Sequence, residues 1–339
     1  SLQSITIPDS VTTIGDYAFY DCDSLESITV DKNNKYYCSD EYGVLFNKNK
    51  TKLMLYPVGN TRIAYTIPDS ITTIGNYAFE YCKSLQSVTI PNSVKTIGNC
   101  AFFYCDSLQS ITIPDSVTTI GNSAFTGTAW YNNQPDGLIY IGKVAYKYKG
   151  TMPENTSITI KAGTKGIAGS AFEYCDSLKS ITIPDSVTTI GDYAFAFCGE
   201  LTYVTISNSV KKIGENAFHS CKKLSNIYIP ACVTEIGKKA FGYTYYEIGE
   251  SVEAETTYTP FEIKGAKGSA AEKYAKDNGF KFVEHTTHTH SYTAKVVTPA
   301  TPTTDGKTEY KCSCGDIQKT ETIAKVASLT LSKTKYIYD

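Results

Sequence analysis

Residues 178–198 read LKSITIPDSVTTIGDYAFAFC, and the pattern of this unit recurs along most of the chain. The pattern is L-x-x-I-x-I-P-x-S-V-x-x-I-G-x-x-A-F-x-x-C, and it starts again at Leu201, 23 residues after Leu178. A fixed period in the twenties is the signature of a solenoid, whose repeats pack only against their neighbours. Equivalent isoleucines spaced by 23 residues are Ile67, Ile90 and Ile113, and Ile160, Ile183, Ile206 and Ile229.

Each position of the unit has a structural reading. Ile181 and Ile183 alternate with polar residues, which predicts a short strand with both isoleucines inward. Val187 and Ile190 add inward side chains, and Gly191 is expected to let the chain turn a corner. The sequence therefore predicts a β-rich, leucine-rich-repeat-like solenoid with 23-residue repeats, whose core holds an internal phenylalanine stack. The stacked wedges are Phe19, Phe79, Phe102, Phe125, Phe172, Phe195, Phe218 and Phe241.

Six of the 11 cysteines stand three residues after a repeat phenylalanine. Equivalent residues of neighbouring coils lie about 4.7–5 Å apart, but their parallel Cβ directions do not suit the torsion of a disulfide. We therefore predict a ladder of buried free thiols that act as small hydrophobic groups. These residues are Cys22, Cys82, Cys105, Cys175, Cys198 and Cys221.

The unit resembles the BspA-like, treponema-type leucine-rich repeats (LRR_5) over residues 1 to about 283. That resemblance implies a secreted or wall-attached bacterial protein that mediates adhesion. We accordingly expect an extracellular or cell-wall-attached monomer whose partners are host or microbial surface proteins or glycans. Residue 1 already lies inside a repeat, so we also expect the chain to be an excerpt of a longer protein.

The departures from the repeat set the expected domain organisation. The solenoid covers 1–283, with hairpin insertions at about 31–62 and 127–155 and a terminal cap at 260–283. Within the cap, Ser269 and Glu272 have the spacing of a capping box and predict a helix near 269–278. A small β-rich His/Cys module follows at 284–327, and 328–339 reads as the start of a truncated following domain.

The second insertion is the most aromatic patch of the chain and supplies the first candidate binding site. An exposed aromatic cluster on a hairpin suits ligand contact. The alternative is that these rings form cross-strand pairs that hold the hairpin against the coil. The candidate residues are Trp130, Tyr131, Tyr140, Tyr146 and Tyr148.

The outward side of the repeat strands supplies a second candidate. We expect a concave sheet of about eight strands that presents columns of serine and threonine, a polar and uncharged surface suited to glycans or extended proteins. Uniform columns favour a structural stalk that displays another domain. Tyr203, Tyr228 and His219 break this uniformity and favour binding by the C-terminal units. A third alternative is the repeat part of a larger exported enzyme.

The module at 284–327 resembles small modules of extracellular proteins from Gram-positive gut bacteria. His288, His290, Cys312 and Cys314 are ligand types that suit zinc. Against zinc, the C-x-C spacing is less suitable than C-x-x-C, so a redox pair or free thiols remain alternatives. No other cofactor is expected.

Composition excludes several classes of function. The net charge is −2 and the pI about 6.1, so no basic field attracts nucleic acid. The sequence has no run of 18 apolar residues that could span a membrane. It also has no phosphate-binding glycine loop, paired carboxylates or exposed Cys-His pair, so we expect no enzymatic activity.

Overall fold

The computed structural model of the chain describes residues 2–15, 18–248, 252–257, 260–285, 293–298, 305–311 and 317–323. The chain separates into two compact units, Ser1–His285 and Thr286–Asp339. The first unit is a β-solenoid, and the second contains the antiparallel sheet β26-β27-β28, formed by Thr293–Thr298, Gly306–Lys311 and Ile317–Ile323. The predicted β-rich solenoid followed by a small β module is confirmed.

The solenoid unit consists of short strands and two helices, joined by turns and loops. The strands before the second hairpin are β1 (Ser4–Ile7), β2 (Ser27–Val30), β3 (Tyr37–Ser39), β4 (Leu45–Asn47), β5 (Lys52–Leu55), β6 (Ala64–Thr66), β7 (Thr73–Ile74), β8 (Ser87–Thr89), β9 (Thr96–Ile97), β10 (Ser110–Thr112) and β11 (Thr119–Ile120). The later strands are β12 (Gly137–Ile141), β13 (Val144–Lys149), β14 (Thr156–Thr159), β15 (Gly166–Ile167), β16 (Leu178–Thr182), β17 (Thr189–Ile190), β18 (Tyr203–Thr205), β19 (Lys212–Ile213), β20 (Asn226–Tyr228), β21 (Glu235–Ile236), β22 (Tyr243–Ile248), β23 (Val252–Thr257), β24 (Glu262–Gly265) and β25 (Lys281–Glu284). The helices are α1 (Ala129–Asn132) and α2 (Ala270–Asp277).

The I-x-I segment of each unit forms the predicted parallel strands. In β16, Ile181 pairs in register with Ile158 of β14 and Val204 of β18. Ile181 and Ile183 are 0% and 2% exposed, whereas Thr182 faces solvent. Stacking of the coils on both sides therefore buries the apolar side of β16.

The prediction of one sheet of about eight strands is wrong, because these strands do not form a continuous sheet. The strands of this face form separate groups, among them β6-β8-β10, β14-β16-β18 and β20-β24-β25. The second hairpin, β12–β13, is inserted in the chain between β10 and β14, which interrupts the period and leaves these two strands unpaired with each other.

The V-x-x-I-G segment forms a second parallel ladder of two-residue strands, which the sequence reading treated only as inward side chains. Strands β7, β9 and β11 continue from β5, and β15, β17, β19 and β21 continue from β13. The last strand of each of the two insertions, β5 and β13, thus pairs with a coil, as in the pairing of Leu53 with Ile74. The hairpins are built into the wall of the solenoid.

Seven of the eight repeat phenylalanines lie in the core and stack as predicted in two runs, Phe79 to Phe125 and Phe172 to Phe241, whereas Phe19 is only half-buried. Phe102 lies on Phe79 with ring centroids 4.8 Å apart and planes 9° from parallel. Phe195 and Phe218 repeat this geometry at 4.8 Å and 14°. All seven repeat phenylalanines from Phe79 to Phe241 are 0% exposed, so they belong to the core: Phe79, Phe102, Phe125, Phe172, Phe195, Phe218 and Phe241.

The repeat glycine serves close packing rather than the turn. The φ of Gly191 lies outside the left-handed region, and a Cβ added there would lie 2.5 Å from the main-chain nitrogen of Gly169. The left-handed residues of that coil are instead Tyr193 and Phe197, with φ of 55° and 60°. Glycine is required because neighbouring backbones approach more closely than a Cβ permits.

The cysteines form the predicted ladder of thiols. None of the nine described cysteines forms a disulfide. Cys198 donates to the main-chain carbonyl of Phe172 in the preceding coil (3.1 Å), and Cys221 donates likewise to that of Phe195 (3.1 Å). Five of the six ladder cysteines are buried, whereas Cys22 in the first coil is only half-buried.

The cap packs helix α2 and strand β25 against the last coils. Ser269 is the N-cap residue, but its hydroxyl donates to the carbonyl of Ala266 (2.6 Å) and makes no bond to the helix amides. Glu272 accepts from the amide of Gly268 (2.6 Å), so the reciprocal capping box does not form. Gly279, with φ of 70° in the left-handed region, follows the helix and suits its end.

Candidate functional site

The aromatic residues of the second hairpin are partly absorbed by the core. Tyr146 is 2% exposed, and its hydroxyl accepts a hydrogen bond from the amide of Phe125 (2.9 Å). Trp130 and Tyr131 are half-buried and pack edge-on, Trp130 against Phe125 at 5.7 Å and Tyr131 against Tyr146 at 6.0 Å. Tyr146 is therefore placed where no surface ligand reaches it.

Tyr140 and Tyr148 complete this cluster and are also half-buried. The hydroxyl of Tyr140 accepts from the amide of Lys161 (3.0 Å), and the amide of Tyr148 donates to the carbonyl of Ala171 (2.8 Å). These contacts match the alternative in which the rings hold the hairpin against the coil. Ligand contact by the partly exposed members stays a prediction.

Tyr203 and Tyr228 lie on the strand face. Tyr203, in β18, is 59% exposed. Tyr228, in β20, is half-buried and has its ring centroid 4.7 Å from that of His285. Tyr203 is thus exposed to solvent to a greater extent than Tyr228, and ligand contact by either residue stays a prediction.

The expected exposure of His219 is wrong. His219 is 2% exposed, and its Nδ1 lies 2.9 Å from the hydroxyl of Ser220. Its ring lies 4.7 Å from that of Tyr245 and 5.7 Å from that of Phe197. Aromatic side chains whose positions the repeat period alone does not predict cover the imidazole. The Ser220-His219 pair is therefore part of the protein interior.

The candidate zinc ligands His288, His290, Cys312 and Cys314 lie outside the described residues. Among the residues that the structure does describe, no group of three or more His, Cys, Asp or Glu side chains could hold a metal ion.

A different surface is built by the residue two positions after each repeat phenylalanine, which sequence reasoning missed. At this position the backbone adopts a left-handed conformation in successive coils, with φ between 51° and 61° at Tyr81, Tyr104, Tyr174 and Phe197. Non-glycine residues with positive φ are uncommon, yet here the conformation repeats with the coil. We call these four residues the corner column.

The members of the corner column stack in pairs at the surface. Tyr81 and Tyr104 have ring centroids 5.6 Å apart and planes 11° from parallel. Tyr174 and Phe197 stack at 4.6 Å and 9°. Tyr104 is 43% and Tyr174 66% exposed, so these aromatic groups reach solvent.

Neighbouring aromatic residues extend both pairs. Phe103 meets the ring of Tyr104 edge-on at 4.5 Å, and Tyr245 stacks on Phe197 at 6.2 Å. Between the pairs, the equivalent position is Gly127, where a Cβ would lie 2.8 Å from the Tyr104 ring. The column thus forms two exposed aromatic patches. Their signal in the sequence is the aromatic residue repeated directly before the ladder cysteine.

Sequence comparison places these coils in a known family. The model of the BspA type leucine-rich repeat region matches six copies over residues 1–50, 60–152 and 139–256. The chain belongs to this family. The resemblance inferred from the repeat unit is therefore confirmed, and the family is one of repeat proteins.

Solved structures of bacterial leucine-rich repeat proteins are similar to this chain. A leucine-rich repeat protein from Eubacterium ventriosum is 31% identical over 70% of this chain and 58% of its own, with a TM-score of 0.36. The pneumococcal vaccine antigen PcpA is 21% identical over 84% and 56%, with a TM-score of 0.38. A leucine rich cell surface protein from Faecalibacterium prausnitzii is 25% identical over 85% and 80%, with a TM-score of 0.34.

The chain spans less than two thirds of the first two of these proteins, 58% and 56% of their length. No curated protein matches it in sequence. Among the described residues, neither helix is long and apolar enough to cross a membrane.

Proposed function

We propose that this chain is a protein-binding module of an extracellular or wall-attached bacterial protein, and that the corner column is its contact surface. The observation that carries the proposal is the pair of aromatic stacks, Tyr81 on Tyr104 and Tyr174 on Phe197, in which all three tyrosines are exposed. Tyrosine is enriched among the residues that dominate protein interfaces, because it offers a large apolar area together with a polar hydroxyl.

The orientation of the rings favours a protein over a glycan. Each stacked ring covers one face of its neighbour, so at most one face of each ring stays free, together with its edge and, in the tyrosines, its hydroxyl. A sugar binds an aromatic side chain through the ring face. Side chains of a protein partner pack against ring edges and bond to phenol hydroxyls.

A structural stalk is the second candidate function. Its support is the uniform strand face, where Thr66, Thr89 and Thr112 are exposed at the same position of successive coils. Specific binding surfaces diversify such positions, whereas a spacer does not need to.

The proposal is tested with variants that remove the column without disturbing the coil. Asparagine tolerates the left-handed backbone, so Tyr104→Asn combined with Tyr174→Asn deletes two exposed rings at little conformational cost. The matched control is Tyr203→Asn on the strand face. The unaltered chain and the variants are measured by biolayer interferometry against extracellular-matrix proteins, bacterial surface proteins and a glycan panel.

We expect at least one protein ligand, and about a tenfold or greater loss of affinity for the double variant with little change for Tyr203→Asn. Melting temperatures of the variants establish that the coils remain folded. Protein binding that survives in the double variant would show that the column is not the contact surface. Binding to glycans alone would replace the proposal with a glycan-binding function, and the absence of any ligand would favour the stalk.

A further inference from the structure

From the second coil onwards, the main-chain amide of each core aromatic residue donates to a defined acceptor. In uninterrupted coils it donates to the alanine carbonyl of the next coil, as from Phe79 to Ala101 (2.7 Å) and from Phe195 to Ala217 (2.7 Å). Where the array is interrupted, a tyrosine hydroxyl takes the place of that carbonyl. The two instances are Phe125 to Tyr146 (2.9 Å) and Phe241 to Tyr274 (3.0 Å).

The first coil (residues 2–24) departs from this rule. No carbonyl of the second coil (25–60) accepts from the amide of Phe19, and no tyrosine hydroxyl among the described residues covers it. The amide of Asp21 is in the same position, although its equivalent in the third coil (61–84), Tyr81, donates to Phe103 (2.8 Å). Two main-chain donors of the first coil therefore lack the acceptor that the equivalent donors of the third coil have in the next coil.

The cause lies in the length of the second coil. Leu53 of the second coil pairs with Ile74 of the third coil. In the third coil the core aromatic residue, Phe79, comes five positions after Ile74. In the second coil the equivalent residue, Tyr56, comes only three positions after Leu53. Tyr56 still stacks on Phe79, with centroids 5.2 Å apart. The corner of the second coil is thus two residues shorter than that of the third coil. It packs against the corner of the third coil rather than against that of the first.

This shortening leaves a cavity of about 550 Å³ between the corners of the first and third coils, which we call the notch. One wall contains Phe19, whose ring is only half-buried, and the opposite wall contains Tyr77. Met54 and Val58 of the second coil line it between them. Its volume lies in the range of ligand sites, about 300–1,000 Å³.

We propose that the notch binds an extended peptide segment in which a small residue precedes an aromatic residue. Its carbonyls accept from the amides of Phe19 and Asp21, and its aromatic ring stacks on Phe19. This is the arrangement that an Ala-Phe corner makes on every complete neighbouring coil, so the ligand continues both the hydrogen-bond ladder and the ring stack. Binding through main-chain donors with a pocket for one side chain is a recurrent mode of peptide recognition.

The charges around the notch favour a neutral segment. Asp21, Asp23 and Glu80 line it together with Lys52 and Lys83, so neither sign dominates. A strongly charged peptide would meet like charges on one side, whereas the uncharged main chain and an apolar ring meet none.

The test uses a peptide copied from a corner of this chain, Asn-Ser-Ala-Phe-Thr-Gly (residues 122–127), which is neutral and free of cysteine. It is blocked at both ends, labelled with a fluorophore and titrated with the full chain while anisotropy is measured. The control peptide carries alanine in place of phenylalanine. We expect saturable binding, and affinity at least about tenfold lower for the control peptide.

Two matched variants locate the binding. Val58→Trp places a large ring in the notch from a half-buried position, and Ile63→Trp adds the same ring at a site 60% exposed that does not line the notch. Only Val58→Trp is expected to abolish binding, with both variants melting like the parent chain. Hydrogen exchange over residues 18–23 is expected to slow when the peptide binds the parent chain.

Equal binding of both peptides, unchanged binding by Val58→Trp, or no binding at all would overturn the proposal. Tighter binding of a neutral disaccharide than of the phenylalanine-containing peptide in the notch would overturn the proposal as well. Tyr81 belongs to the corner column and also lines the notch, whereas Tyr104 and Tyr174 do not line it. The variants of Tyr104 and Tyr174 and the variant of Val58 therefore test the two surfaces separately.

Discussion

The thiol of Cys198 lies 3.1 Å from the main-chain carbonyl of Phe172 and donates a hydrogen bond to it across the coil boundary. The contact requires the protonated thiol, so the ladder cysteines stabilise the solenoid in their reduced form. The same bond joins Cys105 to Phe79 at 2.9 Å.

Replacing a ladder thiol is expected to destabilise the chain, whereas a reductant is not. Cys198→Ala removes a buried atom and a hydrogen bond, and we expect a loss of about 1–3 kcal/mol in the free energy of unfolding. Cys22→Ala, at a half-buried site of the first coil, is the control and should lose less. Urea unfolding measures both. A clear fall in melting temperature on adding dithiothreitol would contradict the thiol ladder.

Thiol reactivity should follow burial along the ladder. Burial raises the pKa of Cys105 and of Cys221 to about 12, so both remain protonated at pH 8. Iodoacetamide at pH 8 is therefore expected to label half-buried Cys22 much faster than Cys221, as measured by mass spectrometry of the folded chain. Equal labelling rates would show that the ladder opens to solvent.

The hydroxyl of Tyr146 should carry measurable stability. In Tyr146→Phe the amide of Phe125 loses its acceptor inside the core, and we expect a cost of about 1–3 kcal/mol in the free energy of unfolding. Tyr148→Phe is the control, because Tyr148 bonds to the coil through its main-chain amide, which the substitution leaves in place. Thermal or urea unfolding compares the two. Equal stabilities would mean that water replaces the phenol.

Stability should fall in the alkaline range. Burial raises the pKa values of Tyr146, Tyr274 and Cys221, so the folded chain keeps protons that the unfolded chain releases above its ordinary values of about 8.5 for thiols and 10 for phenols. Their contribution is complete below those values and is lost as pH rises through the folded-state pKa values. Lys147, whose pKa burial lowers, acts in the opposite direction but is a single group.

We therefore expect a constant urea midpoint between about pH 6 and 8 and a decline above about pH 9. A midpoint that rises between pH 8 and 10 would indicate that buried lysine outweighs the phenols and thiols.

Much of the solenoid could be predicted because its side chains alternate with the period of a strand. Ile181, Ile183 and Phe195 lie in the core as that pattern requires. The two-residue strands were missed because Thr189–Ile190 is too short to show any alternation. The left-handed conformation of Tyr193 and Phe197 was missed as well, because local preference assigns it to glycine, and here main-chain bonds between coils impose it.

The candidate sites were harder to predict because burial of a variable position depends on distant chain. His219 is covered by Tyr245, which follows the last regular coil, and Tyr146 is buried against Phe125 across an interruption. The notch depends on a difference of two residues within an irregular insertion. That difference becomes visible only once the pairing of Leu53 with Ile74 fixes the alignment.

One phenol hydroxyl, that of Tyr146 or Tyr274, is enough to complete the main-chain ladder where the period stops. A coil whose core amide bonds to a phenol hydroxyl needs no further coil to accept that hydrogen bond. Gain or loss of a whole unit on the far side would then leave these two hydrogen bonds in place, so the length of such a solenoid is not fixed by the contacts that close its coils.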